Sequence, residues 1–382
     1  MTDLSMPAQR DPALVRRLAD KINQVASGVA NRLGRPLQIM EVCGGHTHAL
    51  FHSGIDQLLS ADVEFVHGPG CPVCVLPPEA IDQAVGLAGQ PDTMLVTFGD
   101  VLRVPGSSTT LAGLQARGAD IRVVYSPMDV IALARAHPEK NVIFLAIGFD
   151  TTMPAVALTI EQAARDQVNN LRFLCYHIRL IPTLQALLER KDVVIDGFIG
   201  PGHVSMIIGK DAYEPLVRAW HTPLVVAGFE PVDMMRALWM VVVQLDEQRC
   251  QVENAYERVV TDAGNVRGLD AIRRVFAADD VTWRGVGRIP GSVRSLNASY
   301  AALDASRMAG LQTPAEHDEP VYCADVLTGK RKPTACPHFN TDCHPHSPKG
   351  PLMVSGEGAC AAYYRYRRHQ TDSNTEAQYE KG

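Results

Sequence analysis

Seven of the nine cysteines fall into two groups, Cys43, Cys71 and Cys74 near the N-terminus and Cys323, Cys336, Cys343 and Cys360 near the C-terminus. The second group has the spacing Cys-x12-Cys-x6-Cys-x16-Cys. Four thiolates are the donor set of a 4Fe-4S cluster or of structural zinc. Zinc ribbons usually pair their cysteines as CxxC, whereas these wide and uneven gaps favour an iron–sulfur site assembled from loops. Lys330, Arg331 and Lys332 follow the first ligand, and Arg365, Arg367 and Arg368 follow the last. These cations are expected to offset the charge of the thiolates and cluster, the bland alternative being a solvated basic face. His338, His344 and His346 could replace a cysteine ligand, but histidines in a polar loop more often face solvent.

Cys43 has a different setting. It follows an apolar strand, Gly44 and Gly45 let the chain turn tightly, and a helix is expected to start near His46. A helix N-terminus and the neighbouring His46 and His48 are expected to lower its thiol pKa, favouring the nucleophilic, metal-binding thiolate. The alternative is an inert buried cysteine. Cys71-Pro-Val-Cys74 has the two-residue gap of redox dithiols and sits on a glycine-proline loop after a strand. It would also suit half a zinc site, but no second CxxC completes one. Cys175 and Cys250 have apolar or helical surroundings and read as structural.

The elements that position these residues are legible from periodicity. Asp11-Pro12 caps a helix with apolar residues at Leu14, Leu18, Ile22, Val25, Val29 and Leu33, ended by Gly34 and Pro36. From there to about residue 230, short β-branched runs alternate with helical segments: 37–42, 63–66, 94–97, 121–125, 142–147, 171–176, 194–199 and 224–227. The alternation predicts an α/β fold of mainly parallel sheets. Almost every strand empties into a loop rich in glycine, histidine, aspartate or cysteine, and open α/β sheets bind ligands at such carboxyl ends. Asp100, Asp150, His203 and Glu230 each follow a strand and are expected to join the cleft as hydrogen-bonding or proton-transfer groups, helix capping being about as plausible.

Val66-His-Gly-Pro-Gly-Cys71 resembles Ile199-Gly-Pro-Gly-His203 in form, and Leu95-Val-Thr-Phe-Gly resembles Val225-Val-Ala-Gly-Phe. Two similar domains facing a cleft would explain this. The expected organisation is an N-terminal helix (1–36), two α/β domains (37–126 and 127–230), a helical connection (231–309) and a cluster module (310–382). The helical stretch after Pro231 is expected to run through Ala237, Val241, Leu245 and Val252 towards Val260. The module's Pro, His, Cys and Gly content cannot build a core alone and needs a metal or a neighbour.

A net charge of −6 over 382 residues argues against general nucleic-acid binding. No apolar run approaches the roughly 18 residues of a bilayer span, so no membrane role is expected. Clustered thiols without a secretion signal fit the reducing cytoplasm.

Six motifs carry a resemblance: Glu41-Val-Cys-Gly-Gly-His-Thr-His48, Gly68-Pro-Gly-Cys-Pro-Val-Cys74, Thr97-Phe-Gly-Asp100, Gly148-Phe-Asp-Thr-Thr152, Pro201-Gly-His-Val-Ser205 and Ser355-Gly-Glu-Gly-Ala-Cys-Ala-Ala-Tyr-Tyr364. Together they resemble the HypD family of NiFe hydrogenase maturation proteins over nearly the whole chain. Asp150 stands where many relatives carry glutamate, and Gly356 and Leu352 where serine and often cysteine are expected. The resemblance implies an assembly factor with redox activity, more than a multiple-turnover enzyme, for the Fe(CN)2CO unit of the hydrogenase. It implies a complex with the small chaperone HypC, cyanide from HypE, and the hydrogenase large subunit as an indirect partner. Carried onto this chain, Cys43 ligates the iron with a cysteine of HypC. Cys71 and Cys74 act as a redox dithiol or further ligands, the C-terminal cluster relays electrons, and His46 and His48 handle protons or orient ligands. The cluster module is then expected to lie against the domain carrying Cys71. Two alternatives are an iron–sulfur disulfide reductase similar to ferredoxin:thioredoxin reductase, and a zinc-stabilised interaction module.

Overall fold

The computed structural model describes residues 8–283, 287–308 and 321–368. Its strands, in chain order, are β1 (Leu37–Glu41), β2 (Val63–His67), β3 (Thr93–Thr97), β4 (Asp120–Val123), β5 (Asn141–Gly148) and β6 (Leu171–Ile178). They continue as β7 (Gly197–Pro201), β8 (Leu224–Ala227), β9 (Val252–Asn254), β10 (Phe276–Trp283) and β11 (Gly287–Leu296). The expected α/β class is present, as two mainly parallel sheets ordered β2-β1-β7-β8-β9 and β10-β11-β6-β5-β3-β4.

The chain divides into two interleaved units. The first takes residues 1–71, 184–264 and 321–382, and the second takes 72–183 and 265–320. This differs from the consecutive domains 37–126 and 127–230 expected from sequence. β1 pairs β2 on one side and β7 on the other, so a strand from beyond residue 190 completes the sheet that the first strands begin. The similar Val66–Cys71 and Ile199–His203 segments consequently end strands of one sheet instead of marking equivalent domains.

In the first unit the Pro12–Leu33 helix forms as its sequence dictates. Asp11 caps it by accepting from the Ala13 N–H at 2.9 Å, and Gly34 ends it at φ +69°. Its buried Val15, Ala19, Ile22, Ala26 and Val29 form one stripe at three- and four-residue spacing, which shares a core with Ala237, Leu238 and Val241 of the Pro231–Asp246 helix.

Residues 231–309 are not the helical connection expected. The helix stops at Asp246, Val252 begins a fifth parallel strand, and β10 and β11 form an antiparallel hairpin that extends the second sheet. β10 reads Phe-Ala-Ala-Asp-Asp-Val-Thr-Trp with little but its end residues buried, so an edge strand with a solvated middle leaves no apolar alternation to read.

The C-terminal segment belongs to the first unit. It packs on the face of β1 and β2 that carries Met40, Glu64 and Val66. Lys332 pairs with Glu64 at 2.9 Å, and Gly329, at φ +81°, sits where a Cβ would lie 2.1 Å from Val66. The Ala359–Tyr366 helix packs Ala362 and Tyr363 against Phe51. Arg367 grips Asp56 through Nε at 2.9 Å and Nη2 at 2.5 Å. The expected contact with the Cys71-bearing unit is therefore present.

Candidate thiol centre

Four parallel strands of the first sheet, β2, β1, β7 and β8, end on the same side, and the segments that follow them carry Cys71, Cys43, His203 and Phe229, with His203 in the first turn of the Gly202–Ile208 helix. Cys43 is the N-cap of the Gly44–Ser53 helix and is 1% exposed. Its Sγ lies 3.7 Å from the His203 ring nitrogens. Phe229 stacks on His203 with ring centroids 5.2 Å apart and lies 4.7 Å from the His46 ring. Gly45 leaves room for this packing, since a Cβ there would be 3.0 Å from Phe229 and 3.4 Å from the Cys43 sulfur.

A buried carboxylate underlies the thiol. Glu41, with no exposed surface, accepts from the Cys43 N–H at 3.0 Å, from the Thr47 hydroxyl, and pairs with His67 Nδ1 at 2.7 Å. The helix N-terminus acts on the thiol as expected, through the N–H groups of His46 and Gly45. Burial, and then the Glu41 charge, outweigh it and push the Cys43 pKa far up. The expected lowered pKa is therefore reversed, and burial favours the protonated thiol at Cys43.

Both histidines here are held neutral. Burial, helped by His46, lowers His203 to about 4. His46 is buried and lowered by desolvation. Its Nε2 lies 3.1 Å from the Gly228 carbonyl, which makes Nε2 the donor. Nδ1 is buried with no hydrogen-bond partner among the described residues, so its lone pair is left unused there. His48 instead points to the C-terminal segment, 3.2 Å from the Tyr366 hydroxyl.

The remaining candidates divide between the units. Glu230 is drawn to the surface by Arg10 at 2.5 Å and takes no part in the thiol centre. Asp100, on the exposed turn after β3, and Asp150, buried after β5, belong to the second unit. The unit boundary falls inside Cys-Pro-Val-Cys, with Cys71 in the first unit and Cys74 in the second. Both thiols are buried, and none of the nine cysteines is in a disulfide. Cys250 donates to the His221 carbonyl, and the half-buried Cys175 has its pKa raised by burial, consistent with structural roles.

The four C-terminal cysteines are near neighbours. Burial first, then the charges of Cys323, Cys343 and Cys336, raise the Cys360 pKa. Gly350 lets the loop pass Cys323, whose sulfur would be 2.5 Å from a Cβ there, and the Lys349 N–H donates to Cys343 Sγ at 3.4 Å. Among the described residues, no three His, Cys, Asp or Glu side chains converge on a single ion position. The cations expected to face these thiols are engaged elsewhere: Lys330 with Asp192, Lys332 with Glu64, Arg331 with Asp325 and Arg367 with Asp56.

Sequence reasoning missed two neighbours of Cys43. One is Phe229. The other is Glu357, whose backbone and Cβ abut Gly44 and whose charge reaches the thiol. Its place in the Ser-Gly-Glu-Gly motif was the available signal, but nothing local connects residue 357 with residue 43.

Fold and site together define a two-sheet α/β protein with a buried thiol–imidazole centre at its strand ends and a second cysteine group docked beside it. The profile of the HypD family, described as hydrogenase formation, matches residues 13–367. Hydrogenase maturation factor HypD of Escherichia coli K12 is 49% identical over 366 residues, 95% of this chain and 98% of that protein. Those of Rhodobacter capsulatus and Azotobacter vinelandii are 46% and 43% identical, each over 94% of this chain and 96% of the relative. This chain belongs to the HypD family of hydrogenase maturation factors. Among the described residues no helix is long and apolar enough to cross a membrane.

Proposed function

We propose that this chain is a cytoplasmic scaffold on which the Fe(CN)2CO unit of NiFe hydrogenase is assembled, with the iron as cargo held at Cys43. The observation that carries this reading is the Cys43 site itself. A thiol that burial keeps protonated becomes a thiolate when a cation binds its sulfur, so iron loading and proton release are coupled there. Soft thiolate and imidazole donors suit iron, and the His46 Nδ1 lone pair and His203 ring are neutral, as ligands or orienting groups must be. A cysteine of a HypC-like chaperone completes the iron's ligands, a HypE-like protein supplies cyanide, and the hydrogenase large subunit receives the product indirectly.

Cys323, Cys336, Cys343 and Cys360 are the residues that hold a 4Fe-4S cluster. Their mutual proximity supports this, because four thiolates raise one another's pKa unless a metal neutralises them. When bound, the cluster supplies one-electron chemistry. Cys71 and Cys74 serve as the redox dithiol, and their burial favours a reaction internal to the assembly over attack on disulfides of other proteins.

Anaerobic iron and acid-labile sulfide analysis of wild type beside Cys336→Ser tests the two-site reading. Sulfide should be lost in the variant while iron added at Cys43 is retained. Loss of all iron would overturn the independence of the sites.

A further inference from the structure

The carboxyl ends of β5 and β6 in the second unit hold a charged group with no part in the reading above. Asp150, buried in the loop after β5, accepts from the Leu180 N–H at 3.1 Å. Arg179, directly after β6, is fixed by its own N–H to the Ser292 carbonyl at 2.8 Å and by Nη1 to the Gly291 carbonyl at 2.7 Å. On β11, Arg294 is the register partner of His177 on β6, and directly opposed residues of an antiparallel pair project from the same face.

The hydrogen bonding of this group is incomplete. His177 has no exposed surface, and neither of its ring nitrogens has a partner among the described residues. The Arg294 Nε is buried and also unpartnered. Asp150 lies near enough to Arg179 and Arg294 for their charges to act on it, yet it forms an ion pair with neither. Buried polar groups left unmade cost about 1–3 kcal/mol each, and a native fold rarely keeps several together without a reason. A water could satisfy the imidazole alone. It would leave two guanidinium charges facing one buried carboxylate whose own ionisation is opposed by burial.

We propose that Arg294, Arg179 and His177 form a binding site for a compact oxyanion, the shared chemistry of a phosphate or a carboxylate group. Arg294 offers the planar donor fork that such oxygens match. Arg179, anchored on Gly291, adds the second positive charge, and His177 forms the floor.

The test uses the full-length, metal-free chain at constant ionic strength, with thermal unfolding followed as inorganic phosphate, acetate or chloride is added. A ligand that binds only the folded state raises the midpoint in a saturable way. Phosphate or acetate should do so where chloride does not, and the stronger of the two identifies the class. Arg294→Gln should weaken the effect by at least about tenfold, the scale of one charge-assisted bond. Arg294→Lys should retain part of the binding and serves if the glutamine variant fails to fold. A wild type that responds to neither anion, or glutamine and lysine variants that respond like wild type, would overturn the proposal.

Discussion

The Cys43 sulfur lies 3.7 Å from the ring of His203, across the pairing of β1 with β7, and both groups rest uncharged. A nucleophilic cysteine next to histidine works as a thiolate–imidazolium pair. Here burial opposes both charges, lowering His203 and raising Cys43. The pair therefore does not rest as a thiolate–imidazolium ion pair.

The first prediction concerns that thiol. In metal-free protein at mildly alkaline pH, iodoacetamide should modify the part-exposed Cys336 and Cys343 well before Cys43, read by peptide mass mapping. Glu41→Gln removes a charge that raises the Cys43 pKa and should speed its alkylation. The same change presents an amide where the Cys43 N–H, Thr47 and His67 need an acceptor, costing about 1–3 kcal/mol in urea unfolding. Equal modification of Cys43 and Cys336 in wild type would contradict this account.

His203 gives a pH dependence whose sign is fixed. Its folded pKa is about 4 against an ordinary value of 6.5, so between those values the unfolded chain binds more protons than the folded one. Stability is then lost as pH falls from 6.5 towards 4 and is unaffected by this group above 6.5. His203→Asn in the metal-free protein should flatten that part of the profile of melting midpoint against pH. An unchanged slope would show that other groups carry it.

Much of this was legible in the sequence, for identifiable reasons. β1, β3, β5 and β8 are short apolar runs closed by glycine loops, and parallel strands buried on both faces announce themselves that way. Asp11 and Gly34 marked the first helix because caps are local. Cys43 and His203 could be named as strand-end residues, but their contact required knowing that β7 adds to β1, which no local pattern encodes. The direction of the Cys43 pKa was misjudged for a related reason: the helix N-terminus is visible in the sequence, whereas complete burial over Glu41 is a property of the packed unit. Glu230 looked like its neighbours at strand ends, and only the distant Arg10 removes it from the site.

The docking of the C-terminal segment beside Cys43 rests on glycine. At Gly44 a Cβ would lie 2.2 Å from the Glu357 carbonyl oxygen and 2.5 Å from its Cβ, so Gly44→Ala must push the Ser355–Gly358 loop away. The expected cost is about 1–3 kcal/mol of overpacking, read as faster limited proteolysis after residue 320 with the parallel sheet's far-UV signal retained. Proteolysis at the wild-type rate would mean that this loop does not hold the segment in place.

The central claim is that Cys43 carries the iron and its diatomic ligands. Infrared spectra of the anaerobically purified complex with the HypC-like chaperone test it most directly, comparing wild type with Cys43→Ala. The account predicts cyanide and CO stretching bands in wild type and their loss in the variant, with the C-terminal cluster's sulfide content unchanged. Bands of undiminished intensity in Cys43→Ala would contradict it.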